Sequence, residues 1–184
     1  MKTKNLILFL IFSNLLLSQE TEKYYLSGTG ADNTVTWKFY CSEGKNSGKW
    51  TTIEVPSCWE QQGFGGYNFG RDKMDGRHNE TGTYKYSFNV PSSWKNKQIL
   101  IVFDGVMTDA EVEINGKIAG PVHQGAFYQF RYDITRLIHT GKVNDLEALV
   151  KKQSDNRTVT LAEREADYWV FGGIYRPVFL EARP

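Results

Sequence analysis

At residues 83–90 a bulky apolar side chain occupies every second position. Tyr84, Tyr86, Phe88 and Val90 alternate with Lys85, Ser87 and Asn89. Successive side chains of a strand point to opposite faces, so this pattern predicts a strand with one face in a core and the other in water. Pro91 ends it, because proline has no N–H for the ladder. Such a strand needs partners, and candidates recur along the chain. Residues 98–103 read Q-I-L-I-V-F, a run that predicts a strand covered on both faces. Ala110, Val112 and Ile114 alternate with Glu111 and Glu113, then Asn115-Gly116 supplies the positive φ angles of a tight hairpin into 117–119. Further strands are expected at 34–40, 50–55, 127–132, 144–150 and 178–182, with one short helical turn at 136–138 after a cap at Asp133. No amphipathic helix of ten or more residues is evident. The expected fold is all-β, a two-sheet jelly-roll sandwich, with an immunoglobulin-like sandwich as the alternative.

Composition agrees with a β-rich domain. Aromatic residues make up 14% of the chain, and these favour strands. The first residues differ in kind. Lys2 and Lys4 precede an almost wholly apolar run from 5 to 17, and Ser18 and Gln19 restore polarity. This is the layout of a secretory signal peptide, expected over 1–18 with a domain over 19–184. An N-terminal membrane anchor is the alternative, although the run is short for a span. Loss of Lys2 and Lys4 takes the formal charge from +1 to −1. A near-neutral domain lacks the basic face of a nucleic-acid binder, so neither nucleic acid nor membrane is an expected partner. Export would permit a disulfide between Cys41 and Cys58, but no framework of several pairs is visible, and two buried free thiols are the favoured alternative. They form no metal motif. Sequons stand at Asn79 and Asn156.

Two stretches do not look like strands. Residues 63–82 hold six glycines with Tyr67, Asn68, Phe69, Arg71 and His78; residues 151–173 are charged and end in aromatics. Long loops in a compact domain are usually functional or disordered, and aromatic-rich ones are poor candidates for disorder. A site is expected on these two loops.

Short motifs in a fixed order carry a resemblance. Val55-Pro56-Ser57-Cys58-Trp59-Glu60 is followed by Gly63-Phe64, then Gly82-Thr83-Tyr84, Phe103-Asp104-Gly105-Val106 and Ile114-Asn115-Gly116-Lys117. Phe130-x-Tyr132-Asp133-Ile134-Thr135 comes next, and Ala166-Asp167-Tyr168-Trp169 with Gly172-Gly173-Ile174-Tyr175-Arg176-Pro177 closes the series. Together they resemble the N-terminal, galactose-binding-like jelly-roll domain of family 2 glycoside hydrolases, which include β-galactosidases, β-glucuronidases and β-mannosidases. The resemblance covers residues 50–184.

Retaining glycoside hydrolysis needs two carboxyl groups about 5 Å apart. The resemblance implies that both are glutamates on a later (β/α)8 barrel. These 184 residues show no β–α alternation, so no catalytic residue is expected here and the catalytic barrel is an expected partner. No cofactor is implied. In the β-galactosidase branch the resemblance gives Asp167 contact with the terminal sugar and a sodium ion; otherwise Asp167 would pair with Arg176 or cap a turn. A carboxylate accepts strong charge-assisted bonds from vicinal hydroxyls. Tyr168 and Trp169 could offer faces to sugar C–H groups. Asn68 and Arg71 lie near the place of a sugar-contacting asparagine, and Arg71 there suits a uronic acid carboxylate as well as an ordinary surface charge. His123 is a candidate pocket-lining residue. Trp59 is expected in the core, Arg176 at the end of the last strand, and Glu163-Arg164-Glu165 as an ordinary charged stretch. Three roles remain open: a non-catalytic wall of an exo-acting glycosidase, an independent lectin-like module, or a purely structural sandwich.

Overall fold

The computed structural model describes residues 20–73 and 77–184. The expected signal peptide at 1–18 lies outside them. Thirteen strands are described: β1 (Glu22–Tyr25), β2 (Val35–Cys41), β3 (Trp50–Val55), β4 (Asn68–Phe69), β5 (Thr81–Asn89), β6 (Gln98–Phe103), β7 (Asp109–Ile114), β8 (Lys117–Ile118), β9 (His123–Gln124), β10 (Phe130–Asp133), β11 (Val143–Lys151), β12 (Trp169–Val170) and β13 (Val178–Arg183). One helix, α1, spans Arg157–Glu163.

The strands form a two-sheet jelly-roll sandwich. One sheet has the order β1-β13-β6-β10; the other runs β3-β2-β5-β11-β7-β8, with β9 also paired to β7. All pairings are antiparallel. The core lies between the sheets. Tyr84, Phe88 and Val90 of the alternating segment are buried while Lys85, Ser87 and Asn89 are exposed, as the period of two requires. The β6 run is buried on both sides: Ile99, Ile101 and Phe103 join the main core, and Leu100 and Val102 pack with Phe179 on the outer face. Trp37 is buried in that core and its indole N–H donates to the Leu26 carbonyl at 3.1 Å, so its one polar atom costs little. The Asn115-Gly116 hairpin forms with φ of 53° and 70°.

The structure departs from the sequence expectations in three places. The strand expected at 127–132 starts only at Phe130, because the preceding loop is drawn aside: the Ala126 N–H donates to Glu163 at 2.6 Å and the Tyr175 hydroxyl to the Ala126 carbonyl at 2.9 Å. Helix α1 appears inside a segment read as loop. Asn156 caps it, accepting from the Thr158 N–H at 3.0 Å. Its Thr-Val-Thr stretch has weak helix propensity, which packing overrides. Finally, Glu163-Arg164-Glu165 is not an ordinary charged stretch. Glu163 and Arg164 are buried, and only Glu165 is exposed.

Candidate functional site

The two long loops meet. Strand β4 from the first pairs with β12 from the second, with Trp169 opposite Phe69 and Val170 opposite Asn68. The rung extends outward, where the Gly70 N–H donates to the Tyr168 carbonyl at 2.8 Å. Gly70 has to be glycine: a Cβ there would stand 2.1 Å from the Ala166 carbonyl oxygen. Continuing this register puts Arg71 and Asp167 one step beyond the Gly70–Tyr168 bond, on the two facing loop segments. Both are exposed, and neither makes an ion pair among the described residues. Arg71 also shares a shallow depression with Asp72, Lys73, Arg77 and Glu165.

Aromatic rings border this junction. Trp169 is 55% exposed and Tyr67 59%. They meet edge to face at 6.0 Å, while Phe69 packs on Trp169 at 5.4 Å and Phe171 on Tyr67 at 6.0 Å. Tyr168 is exposed as well, and its hydroxyl donates to the Glu163 carbonyl. The result is a rim: two charged side chains of opposite sign beside a group of half-exposed rings. Such a surface has hydrogen-bonding groups for hydroxyls and apolar faces for C–H groups, the two requirements of a sugar.

Charges buried beneath the rim hold it. Lys152, Glu60 and Glu80 have no exposed side-chain surface. The Lys152 ammonium lies 2.7 Å from Glu60 and 3.1 Å from Glu80, and it also donates to the Gly66 carbonyl. Glu80 accepts the Gly66 N–H at 2.8 Å, and Glu60 accepts the Gly172 N–H at 3.1 Å. Arg164 donates to the carbonyls of Lys152 (3.0 Å) and Phe171. Burial raises the Glu60 carboxyl above the usual range, outweighing the pull of Lys152, and lowers the Arg164 guanidinium. Six stretches of chain, around residues 60, 66, 80, 152, 164 and 171–172, are thus tied together, and two of them adjoin β4 and β12 in sequence. Trp59, fully buried as expected, lies against Gly172; a Cβ there would stand 2.1 Å from its ring.

Other candidates have different surroundings. Asn68 is buried, and its amide is taken up by one backbone residue: it accepts the His78 N–H at 2.8 Å and donates to the His78 carbonyl at 2.6 Å. It fastens the loop, with no amide atom turned to solvent. His123 stacks on Phe130 at 3.9 Å, with Nε2 2.8 Å from the Gly125 carbonyl oxygen. Burial lowers its pKa, more than its hydrogen bond and the carboxylates of Asp109 and Glu163 raise it. It lies in strand β9, opposite Ala110 of β7. Arg176 is exposed, lies over the Tyr175 ring at 5.0 Å and makes no pair with Asp167. Cys41 and Cys58 are buried free thiols, with no disulfide between them. No group of three His, Cys, Asp or Glu side chains that could hold a metal occurs among the described residues.

A jelly-roll sandwich bearing such a rim has the make-up of a carbohydrate-binding domain. Residues 32–184 match the glycosyl hydrolases family 2, sugar binding domain, and the chain belongs to that family. It is 32% identical over 145 residues to a β-galactosidase of Clostridium acetobutylicum, covering 72% of this chain and 16% of that protein. It is 26% identical over 176 residues to a β-glucuronidase of Bacteroides fragilis, covering 94% of this chain and 22% of that protein. The crystal structure of a Bacteroides uniformis β-glucuronidase superposes with a TM-score of 0.66 at 26% identity, over 90% of this chain and 18% of that one. The chain thus spans less than a quarter of the length of these relatives.

Proposed function

We propose that this domain is the non-catalytic sugar-facing wall of a secreted, exo-acting family 2 glycosidase. Asp167 and Arg71 contact the terminal sugar, Tyr168 and Trp169 lie against its ring, and a barrel outside these 184 residues performs the cleavage. One observation carries this reading: two loops far apart in sequence are paired, and are anchored from beneath by buried charge, so that their unpaired side chains face outward together. Asn68 and His123 support the loops behind them. The carboxylates of Glu60 and Glu80 share Lys152 and are shut away from water, so they do not serve as an acid–nucleophile pair.

A single open wall leaves most sugar hydroxyls in water, so its affinity for a monosaccharide is low. The purified chain is expected to leave aryl β-galactosides and β-glucuronides uncut. Turnover by residues 1–184 alone would overturn the reading. Where the gene encodes a barrel beyond Pro184, Asp167→Ala in the long protein raises KM and Arg71→Ala discriminates uronides from neutral glycosides; unchanged kinetics in both would remove the rim from the binding site. Tight monosaccharide binding by the chain alone favours the lectin-like module instead. Export is part of the proposal, and a mature N-terminus near Gln19 in the exported fraction is its test.

A further inference from the structure

The outer face of the seven-stranded sheet carries a second surface that shares no residue with the rim. Strand register sets Thr52, Lys38, Lys85, Glu147 and Glu113 side by side, one each from β3, β2, β5, β11 and β7. Four strand spacings make this row about 19 Å long. Its charges are sorted, with two lysines followed by two glutamates. Lys85 and Glu147 pair at 2.8 Å where the halves join. On either side Lys38 stands opposite Lys85, and Glu113 opposite Glu147. Like charges directly opposite each other destabilise a sheet. The central Lys85–Glu147 pair offsets part of this, and Lys38 and Glu113 themselves make no ion pair among the described residues.

At the lysine end stands Trp50, 51% exposed, backed by Tyr40 at 5.7 Å and with the Lys85 ammonium 5.0 Å from its ring centre. An open groove follows the row: Lys38, Lys85, Glu113 and Glu147 line its main part, and Trp50 and Thr52 its continuation. We infer that this groove binds a neutral oligosaccharide lying across the strands. Trp50 stacks against one sugar ring, Lys38 donates to hydroxyl oxygens, and Glu113 accepts from hydroxyls at the far end. Charge selects this class of ligand. A polyanion would meet Glu113, Glu147 and the adjacent Asp145, and a polycation would meet both lysines. A hydroxyl both donates and accepts, so a neutral glycan suits both halves. The groove is open along its length, so it takes an internal stretch of chain, whereas the proposed rim takes a terminal sugar; the two readings stand independently.

The test is calorimetric titration of the purified chain with neutral β-linked hexasaccharides of glucose, mannose and galactose, beside hexagalacturonate. At least one neutral hexasaccharide is expected to bind about tenfold or more tighter than its monosaccharide, a difference that extended contact supplies. Trp50→Ala should abolish that binding, and Lys38→Met and Glu113→Gln should weaken it severalfold. Should Trp50→Ala not fold, Lys38→Met reads the same groove from a solvent-facing position. Absence of hexasaccharide binding, tighter binding of hexagalacturonate, or binding unmoved by these substitutions overturns the inference. Methyl glycosides titrated in parallel report separately on the rim.

Discussion

Lys152 and Glu60 form an ion pair of 2.7 Å in which neither side chain reaches solvent. Removing one member of such a pair strands the other charge in a low-dielectric interior, at a cost of about 3–5 kcal/mol. Here Lys152→Met would strand two carboxylates, Glu60 and Glu80. Urea unfolding is expected to show a loss of at least that size, with increased hydrogen exchange over residues 65–72 and 166–172. A loss under about 1 kcal/mol would mean that the network does not hold the loops.

Gly172 offers a test of the same anchorage by packing alone. A methyl group there would overlap the Trp59 ring at 2.1 Å. Overfilling of a packed core costs roughly 1–3 kcal/mol, so Gly172→Ala should lower Tm by several degrees. The change should also alter Trp fluorescence, since Trp59 must move. A wild-type Tm and spectrum would contradict the packing.

The Cys58 thiol is pushed up to about 12 by burial, with the Glu60 carboxylate adding to the effect. The reactive species is the thiolate, so Cys58 in a native Cys41→Ala chain at pH 8 should react with an aromatic disulfide reagent ~1000-fold more slowly than a free cysteine. In the unsubstituted chain two thiols should titrate after unfolding in urea, because both cysteines are free. Titration of fewer than two would indicate an oxidised pair.

His123 gives the domain a defined pH response. Its folded pKa is lowered by burial, while in the unfolded chain it titrates near ~6.5. The unfolded state therefore takes up the proton first as pH falls. The contribution to stability is complete above the unfolded pKa and is lost as pH falls through the folded one. The urea midpoint should drop between pH 7.5 and pH 5, and His123→Phe, which keeps the stack on Phe130, should flatten that drop. An unaltered slope would assign the effect to other groups.

Much of the sandwich could be read from periodicity. The strands at 50–55, 83–90, 98–103 and 110–114 depend on side-chain alternation and burial, which the chain carries locally. The Asn115-Gly116 turn likewise carries its own geometry. Strands β4, β9 and β12 are two residues each, too short for a period to show, and exist through partners distant in sequence. Glu163 and Arg164 looked like surface charges for the same reason. A residue name does not tell that a backbone N–H from Ala126, or the carbonyls of Lys152 and Phe171, will be waiting inside. Glycines and aromatics single out the two loops as the place to expect a site, and the structure pairs them through β4 and β12. That Asn68 faces inward while Arg71 and Asp167 face outward depends on pairing that no local pattern records.

The buried charges divide labour along the chain. Glu60, Glu80, Lys152 and Arg164 fix where the loops cross, and the side chains of Arg71, Asp167 and Tyr168 extend beyond that crossing. Replacing an exposed side chain at the tip changes what the rim offers a sugar and costs the fold little, since surface changes rarely exceed ~0.5 kcal/mol. If the rim contacts sugar as proposed, substitutions confined to its tips would re-tune the domain from one sugar to another and leave the anchorage in place.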